Sequence, residues 1–261
     1  MKRKILYYSD PLHDDFAKTN IQTLPLPENY KYLHTGILYR AAKFLLYDLI
    51  VRPLVALYLK VVFLQKTKNR KVFRQYMDTD FFLYGNHTQF EADAFIPNTI
   101  VFPKINHIVV GPDAMSIKGI RWLVTMLGAI PLPSQIHQYK GFLRALAHHS
   151  EKSVITIYPE AHIWPYYTDI RPFPDTSFSY PVQLGKPVFA FTNVYVKRRL
   201  GKRPKIVTWI DGPFFPDPSL PPKAARKKLR DEVYNAMKKR RDANDNYEYV
   251  KYIYQEKPPC P

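Results

Sequence analysis

FFLYGNHTQFEADAFIPNTIV, residues 81–101, decides how the rest of the chain is read. The apolar, aromatic run Phe81–Gly85 gives way at once to Asn86 and His87, with Glu91 and Asp93 close behind. A short run of this kind, closed by glycine, reads as a buried strand and a turn. A histidine placed there stands at the carboxyl end of the strand, where α/β folds put their catalytic groups. An acid a few residues on can hold one ring nitrogen and leave the other as a general base. Taken alone, such a pair also fits an ordinary surface or capping arrangement.

Working outward, β-rich runs recur at His107–Gly111, Ala129–Leu132, Val154–Tyr158, Val188–Tyr195 and Ile206–Ile210. Helical patterns fit between the early ones, over 89–101, 116–127 and 138–150. A last helix is predicted over 223–241, where Ala225, Leu229, Val233, Ala236 and Met237 keep helical spacing among Lys and Arg. Alternating strand and helix predict a mixed, largely parallel α/β sheet flanked by helices. A second chemical segment, Tyr158–Pro165, again follows a strand and holds Glu160 and His162 between prolines. It suits a polyhydroxy or phosphorylated ligand, or a structural loop.

Composition narrows the partners. The 261 residues are 46% hydrophobic and 15% aromatic, enough for one sizeable core and too apolar for global disorder. Lys and Arg number 39 against 22 acids, a net charge of +17 that calls for an anionic partner or surface. No nucleic-acid-binding motif is recognisable, which leaves an anionic membrane leaflet as the expected surface. The lone cysteine, Cys260, excludes an intramolecular disulfide and a cysteine-held zinc. His107, His137, His148 and His149 lack metal-ligand spacing and read as surface or helix-end residues; no metal is expected. The basic start Met1–Ile5 runs into Ser9, Asp10, His13, Asp14 and Asp15, so no cleaved signal is expected and the chain reads as intracellular.

Residues 37–65, ILYRAAKFLLYDLIVRPLVALYLKVVFLQ, are the most apolar stretch, but Arg40, Lys43, Asp48, Arg52 and Lys60 interrupt it too often for a simple span. Pro53 predicts the first turn of a second helix. On a helical wheel, Leu38, Ala42, Leu45, Leu46 and Leu49 share one side, and Arg40, Lys43, Asp48 and Arg52 the other. Such a helix lies in a lipid interface or packs on a protein core. The basic flank Lys66, Lys68, Arg70 and Lys71 favours the lipid interface. The expected division is 1–74 as a membrane-associating segment, 75–245 as the α/β domain, and 246–261 as a tail.

Together and in this order, the segments resemble the 1-acylglycerol-3-phosphate acyltransferase family. Its Asn-His-x-x-x-x-Asp motif is similar to Asn86, His87 and Asp93, with one extra residue before the acid and Ala92 in the usual slot. Its later blocks are similar to Gly128–Pro133, Tyr158–Ile163 and Gly185–Ala190, although Pro133 and Ile163 replace its arginines. The resemblance implies acyl transfer from a thioester on coenzyme A or acyl carrier protein to a lysophospholipid hydroxyl, with no cofactor. It implies His87 as base oriented by Asp93, with Glu91 as the competing acid. Glu160, His162 and Arg171 are the implied acceptor-binding residues. Arg171 and His162 are the nearest groups able to cover a phosphate once the arginines are gone. The implied location is the cytoplasmic side of the cell membrane, peripheral or monotopic, with membrane lipids as partners. A catalytically degenerate, lipid-binding relative is the alternative.

Overall fold

The computed structural model describes residues 3–17, 23–116, 121–151 and 153–256. Cys260 lies outside them, as does part of the helix expected over 116–127. After the short strand β1 (Lys4–Tyr8), a helical rod runs through α1 (Ile37–Lys43), wider π-helical turns (Phe44–Val51) and α2 (Arg52–Val62). The alternating part follows: β2 (Lys66–Lys68), a 3-10 segment (Arg70–Tyr76), β3 (Phe82–Gly85), α3 (Ile96–Ile100) and β4 (Asn106–Val110). It continues with α4 (Pro112–Met115), α5 (Arg121–Met126), β5 (Ala129–Pro131), α6 (Tyr139–His149) and β6 (Val154–Ile157). The chain closes with α7 (Ser179–Leu184), β7 (Val188–Val196), β8 (Lys205–Phe214), α8 (Pro222–Asp242) and β9 (Val250–Tyr254).

Among the described residues, seven strands form one sheet in the order β2-β8-β7-β3-β6-β4-β5. All neighbours are parallel except β7 and β8, which form an antiparallel hairpin. This is the mixed, largely parallel α/β fold that the alternation predicts. The central strands are buried on both faces, so their side chains divide by parity. Phe82 and Tyr84 join Ile155, Ile157 and Val188 under Phe142 of α6 and Leu229, Val233 and Met237 of α8. Phe81 and Leu83 join Phe189 and Phe191 on the other face, under Leu59 of α2 and Ile96 and Ile100 of α3. The central strand β3 thus carries His87 out of the sheet at its carboxyl edge.

Three expectations need correction. The helix expected over 89–101 shrinks to Ile96–Ile100. Pro97 has no N–H and is tolerated only in a first turn, so the helix starts beside it rather than at Gln89. His107, expected at the surface, is buried in β4: its ring stacks on His149 at 3.8 Å and its Nδ1 lies 3.2 Å from the Gly128 carbonyl oxygen. Desolvation, Lys43 and His149 hold its pKa well below the usual histidine value. The segment 246–261, expected as a tail, contributes β9, which pairs in parallel with β1 from Lys4↔Val250 to Tyr8↔Tyr254.

The rod lies against the domain with a mixed side inward: Tyr47 and Leu59 are buried beside Arg52, whereas Arg40 of the expected polar side is exposed. Arg52 is 6% exposed, pairs with Asp48 at 2.9 Å and donates to the carbonyls of Asn98 and Lys104 at 3.1 and 2.5 Å. Leu38, Leu45 and Leu49 are 86%, 56% and 55% exposed. Pro53 stands in the first turn of α2, as expected. No helix among the described residues is long and apolar enough to cross a membrane.

Candidate functional site

Asn86 and His87 leave β3 through a tight approach. A Cβ on Gly85 would lie 2.0 Å from the Phe191 ring, so only glycine lets the strand pass β7 here. Asn86 is then locked to β7: its side chain donates to the Asn193 carbonyl at 3.0 Å and accepts the Asn193 N–H at 2.8 Å. With the backbone fixed on both sides of the turn, His87 projects from the sheet edge and remains partly accessible.

Asp93 reaches back to it. The chain from Gln89 to Phe95 turns rather than coils into helix, which takes up the extra residue before the acid. Asp93 Oδ2 lies 2.9 Å from His87 Nδ1 and accepts the N–H groups of Thr88 and Gln89 at 2.8 Å each. Oδ1 accepts from the Asn193 side chain at 3.3 Å. Burial pushes the Asp93 carboxyl above the usual value, and the bonds from His87, Gln89 and Thr88 pull the other way. Tyr158 completes the seat: its ring stacks on His87 at 4.4 Å and its hydroxyl donates to the Asp93 carbonyl at 2.5 Å. Glu91, the competing acid, points elsewhere, exposed and bonded by the Tyr58 hydroxyl of α2. The arrangement gives Nδ1 a carboxylate and leaves Nε2 for a substrate proton.

Glu160 and Arg171, expected at the ligand, are inside the protein. Glu160 Oε2 accepts the His87 N–H at 2.9 Å, and Oε1 accepts the Arg171 N–H at 3.0 Å. The Arg171 guanidinium lies 3.4 Å from the same carboxylate and donates to carbonyls of Glu160, Pro11 and His162. It sits over the buried Trp164 ring at 5.0 Å and is only 1% exposed. The Pro-rich loop folds Arg171 inward because Glu160, deep behind His87, needs a cation. The pair braces the backbone of His87. His162 is the member of this group that stays at the surface, 3.7 Å from Asp15 and half-exposed.

Sequence reasoning missed Asn193. Its signal was the polar pair Thr192-Asn193 inside the otherwise apolar strand Val188–Val196, and Thr208 of β8 donates to its side-chain oxygen at 2.7 Å. It also missed the role of the N-terminal segment. Asp14 and Phe16 run along Ile163–Trp164: the Trp164 indole donates to the Asp14 carbonyl at 2.7 Å, and Phe16 N–H to the Ile163 carbonyl at 3.1 Å. Trp164 N–H in turn donates to the His87 carbonyl at 3.1 Å. No group of three or more His, Cys, Asp or Glu among the described residues is placed to hold a metal ion.

With this geometry in hand, the chain is similar to the crystal structure of the 1-acyl-sn-glycerophosphate (LPA) acyltransferase PlsC from Thermotoga maritima. The TM-score is 0.53 at 16% identity, over 80% of this chain and 89% of that one. The two share a fold. No family model matches the sequence, and no curated protein does.

Proposed function

We propose that this protein is a membrane-associated acyltransferase. It moves a fatty acyl group from a thioester, on coenzyme A or acyl carrier protein, to the free hydroxyl of a lysophospholipid such as 1-acylglycerol-3-phosphate. The observation that carries the reading is the His87–Asp93 pair at the carboxyl edge of the sheet, in a fold shared with an LPA acyltransferase. An alcohol ionises far above neutral pH and needs a base as it attacks. His87 Nε2 takes that proton while Asp93 holds Nδ1 and stabilises the imidazolium. The hydroxyl oxygen bonds to the thioester carbonyl carbon, the C–S bond breaks, and the proton passes from His87 to the departing thiolate. No covalent acyl-enzyme is needed. His162, facing outward beside the loop, is our candidate for contact with the acceptor headgroup.

The rod supports the membrane part of the reading. Leu38, Leu45, Leu49, Leu54, Leu57 and Val61 face solvent, while Tyr47, Leu59 and the Asp48–Arg52 pair face the domain, which leaves an outward apolar row suited to a lipid interface. The deciding assay is thiol release from a long-chain acyl-CoA, or labelled acyl transfer from acyl carrier protein, with LPA as acceptor. His87→Ala is expected to lower turnover about 10²–10⁴-fold with unchanged circular dichroism. Full activity in that variant would end the mechanism, and no turnover of any lysophospholipid by the parent protein would end the assignment.

A further inference from the structure

The turn between β7 and β8, residues 197–204, has features that the fold does not call for. Lys197, Arg198, Arg199, Lys202 and Arg203 crowd around Leu200 and Gly201. Gly201, at φ +91°, supplies the reversal of the chain. A hairpin tip needs nothing apolar, yet Leu200 is 84% exposed. The cations repel one another, and none of them forms an ion pair among the described residues. The chain carries no Asp or Glu between Asp175 and Asp211 that could neutralise them locally.

The position of the turn gives these features a direction. Phe191 of β7 stands opposite Gly85, the last residue of β3 before Asn86 and His87. From Phe191 the strand continues to Val196, about 17 Å further, so the turn projects beyond the catalytic edge of the sheet. It is also fastened to the end of the rod: Arg198 donates to the Val62 carbonyl, and Arg203 lies over the Phe63 ring at 5.2 Å. The exposed stripe of α2, with Leu57 and Val61, and Leu64 just beyond it, ends at that point. Cations, an outward leucine and the end of an apolar stripe thus meet on the side from which a lipid substrate must enter.

We propose that this turn is a docking site for an anionic phospholipid surface, in which Lys197, Arg199 and Lys202 take the headgroup phosphates and Leu200 enters the acyl layer. The proposal rests on the interfacial reading of the rod and adds a charge-reading contact separate from it. The rod supplies apolar contact with any bilayer, and the turn makes binding depend on lipid charge.

The test is flotation of the full-length protein with phosphatidylcholine vesicles and with vesicles containing one third phosphatidylglycerol. The parent protein is expected to bind both, with stronger binding to the anionic vesicles that weakens steeply with salt. The triple change Lys197→Gln, Arg199→Gln, Lys202→Gln should remove about fivefold of the anionic preference per charge, about 100-fold together at low salt. It should leave phosphatidylcholine binding and turnover of detergent-dispersed substrate unchanged. Leu200→Ser should weaken binding to both vesicles about tenfold. Equal anionic preference in the triple variant and the parent overturns the turn proposal and leaves the rod reading intact. Loss of binding to a short duplex RNA, with vesicle binding unchanged, overturns it in favour of a nucleic acid. A Leu45→Ser, Leu49→Ser variant that keeps phosphatidylcholine binding removes the rod reading instead, and a parent protein that floats with neither vesicle removes both.

Discussion

Arg171→Met offers a discriminating test of the site, because two uses of this arginine predict opposite results. A guanidinium reserved for a ligand phosphate can be removed with little effect on folding. A guanidinium paired with Glu160 behind His87 cannot. Its loss leaves a buried carboxylate held only by the N–H groups of His87 and Arg171, at 2.9 and 3.0 Å. Breaking a buried ion pair from one side costs about 3–5 kcal/mol. For a chain of this size that corresponds to a fall in Tm of about 6–20 °C. The pH dependence sharpens the test. Burial pushes the Glu160 carboxyl above its ordinary value of 4.5, and Arg171 is the largest influence pulling it down. A pKa raised in the folded state means that the native protein holds this proton more tightly than the unfolded chain. Stability from this group is therefore present below the unfolded pKa and lost as pH rises through the folded one. Removing Arg171 raises the folded pKa further, so the deficit of the variant should be small below pH 4.5 and grow toward neutrality. Thermal unfolding followed by circular dichroism across this range reads it directly. Glu160→Gln combined with Arg171→Met should recover part of the loss and flatten the pH dependence. At neutral pH the single variant should lose turnover with both substrates, since the brace holds the His87 backbone. A stable Arg171→Met protein with a raised KM for the lysophospholipid alone would refute the brace and return the arginine to the ligand.

Other expectations follow from single contacts. Asp93→Asn should cost turnover nearly as much as loss of His87, whereas Glu91→Gln should be mild, because only Asp93 meets the ring; steady-state kinetics with the reverse ranking would overturn the pairing. Asn193→Leu removes a donor from buried Asp93 and the N–H-paired contact with Asn86 stays; a loss of about 1–3 kcal/mol in urea unfolding is expected, with kcat falling more than KM changes. Ala161→Gly should stabilise the protein by about 1 kcal/mol, or about 2–4 °C in Tm, since Ala161 sits at φ 62° in the left-handed region that disfavours a Cβ.

The central strands were legible because they are buried on both faces. Val154–Ile157 and Val188–Val196 are apolar at most successive positions, with Thr156, Thr192 and Asn193 the exceptions. Asn193 was a signal that went unread: it is a buried amide whose nitrogen and oxygen are both bonded, unlike the Thr192 hydroxyl beside it. Strands β1 and β9 were not legible. Each has five residues, and each finds its hydrogen-bonding partner at the opposite end of the chain. Nothing local distinguishes KILYY from the start of a leader or VKYIY from a tail. The helix over 89–101 was overextended by its apolar spacing, which does not register that Asp93 takes the N–H groups of Thr88 and Gln89 with its side chain.

The rod illustrates a different boundary. Periodicity grouped Leu38, Leu45 and Leu49, which all face outward, but set the exposed Arg40 opposite them and does not state which side faces the protein. The decisive local signal is Asp48 and Arg52, one turn apart, able to pair on a single face and carry that face into the interior. Turning the rod over would bury Leu38, Leu45, Leu49, Leu54, Leu57 and Val61, at about 1.5–3 kcal/mol for each large side chain fully buried. It would also strip Arg52 of the Asn98 and Lys104 carbonyls it now holds. The buried Tyr47 and Leu59 would be exposed as well, each at about 1.5–3 kcal/mol, and a hydrogen bond to a charged group contributes about 1.5–3 kcal/mol. The observed orientation keeps the buried arginine and the core contacts of Leu59, and leaves the leucine row outward. Both the Arg52 side chain and Leu59 sit against α3. Under the proposed function, the leucine row and the five cations with Leu200 fastened to its end belong to one surface, which the vesicle assays test.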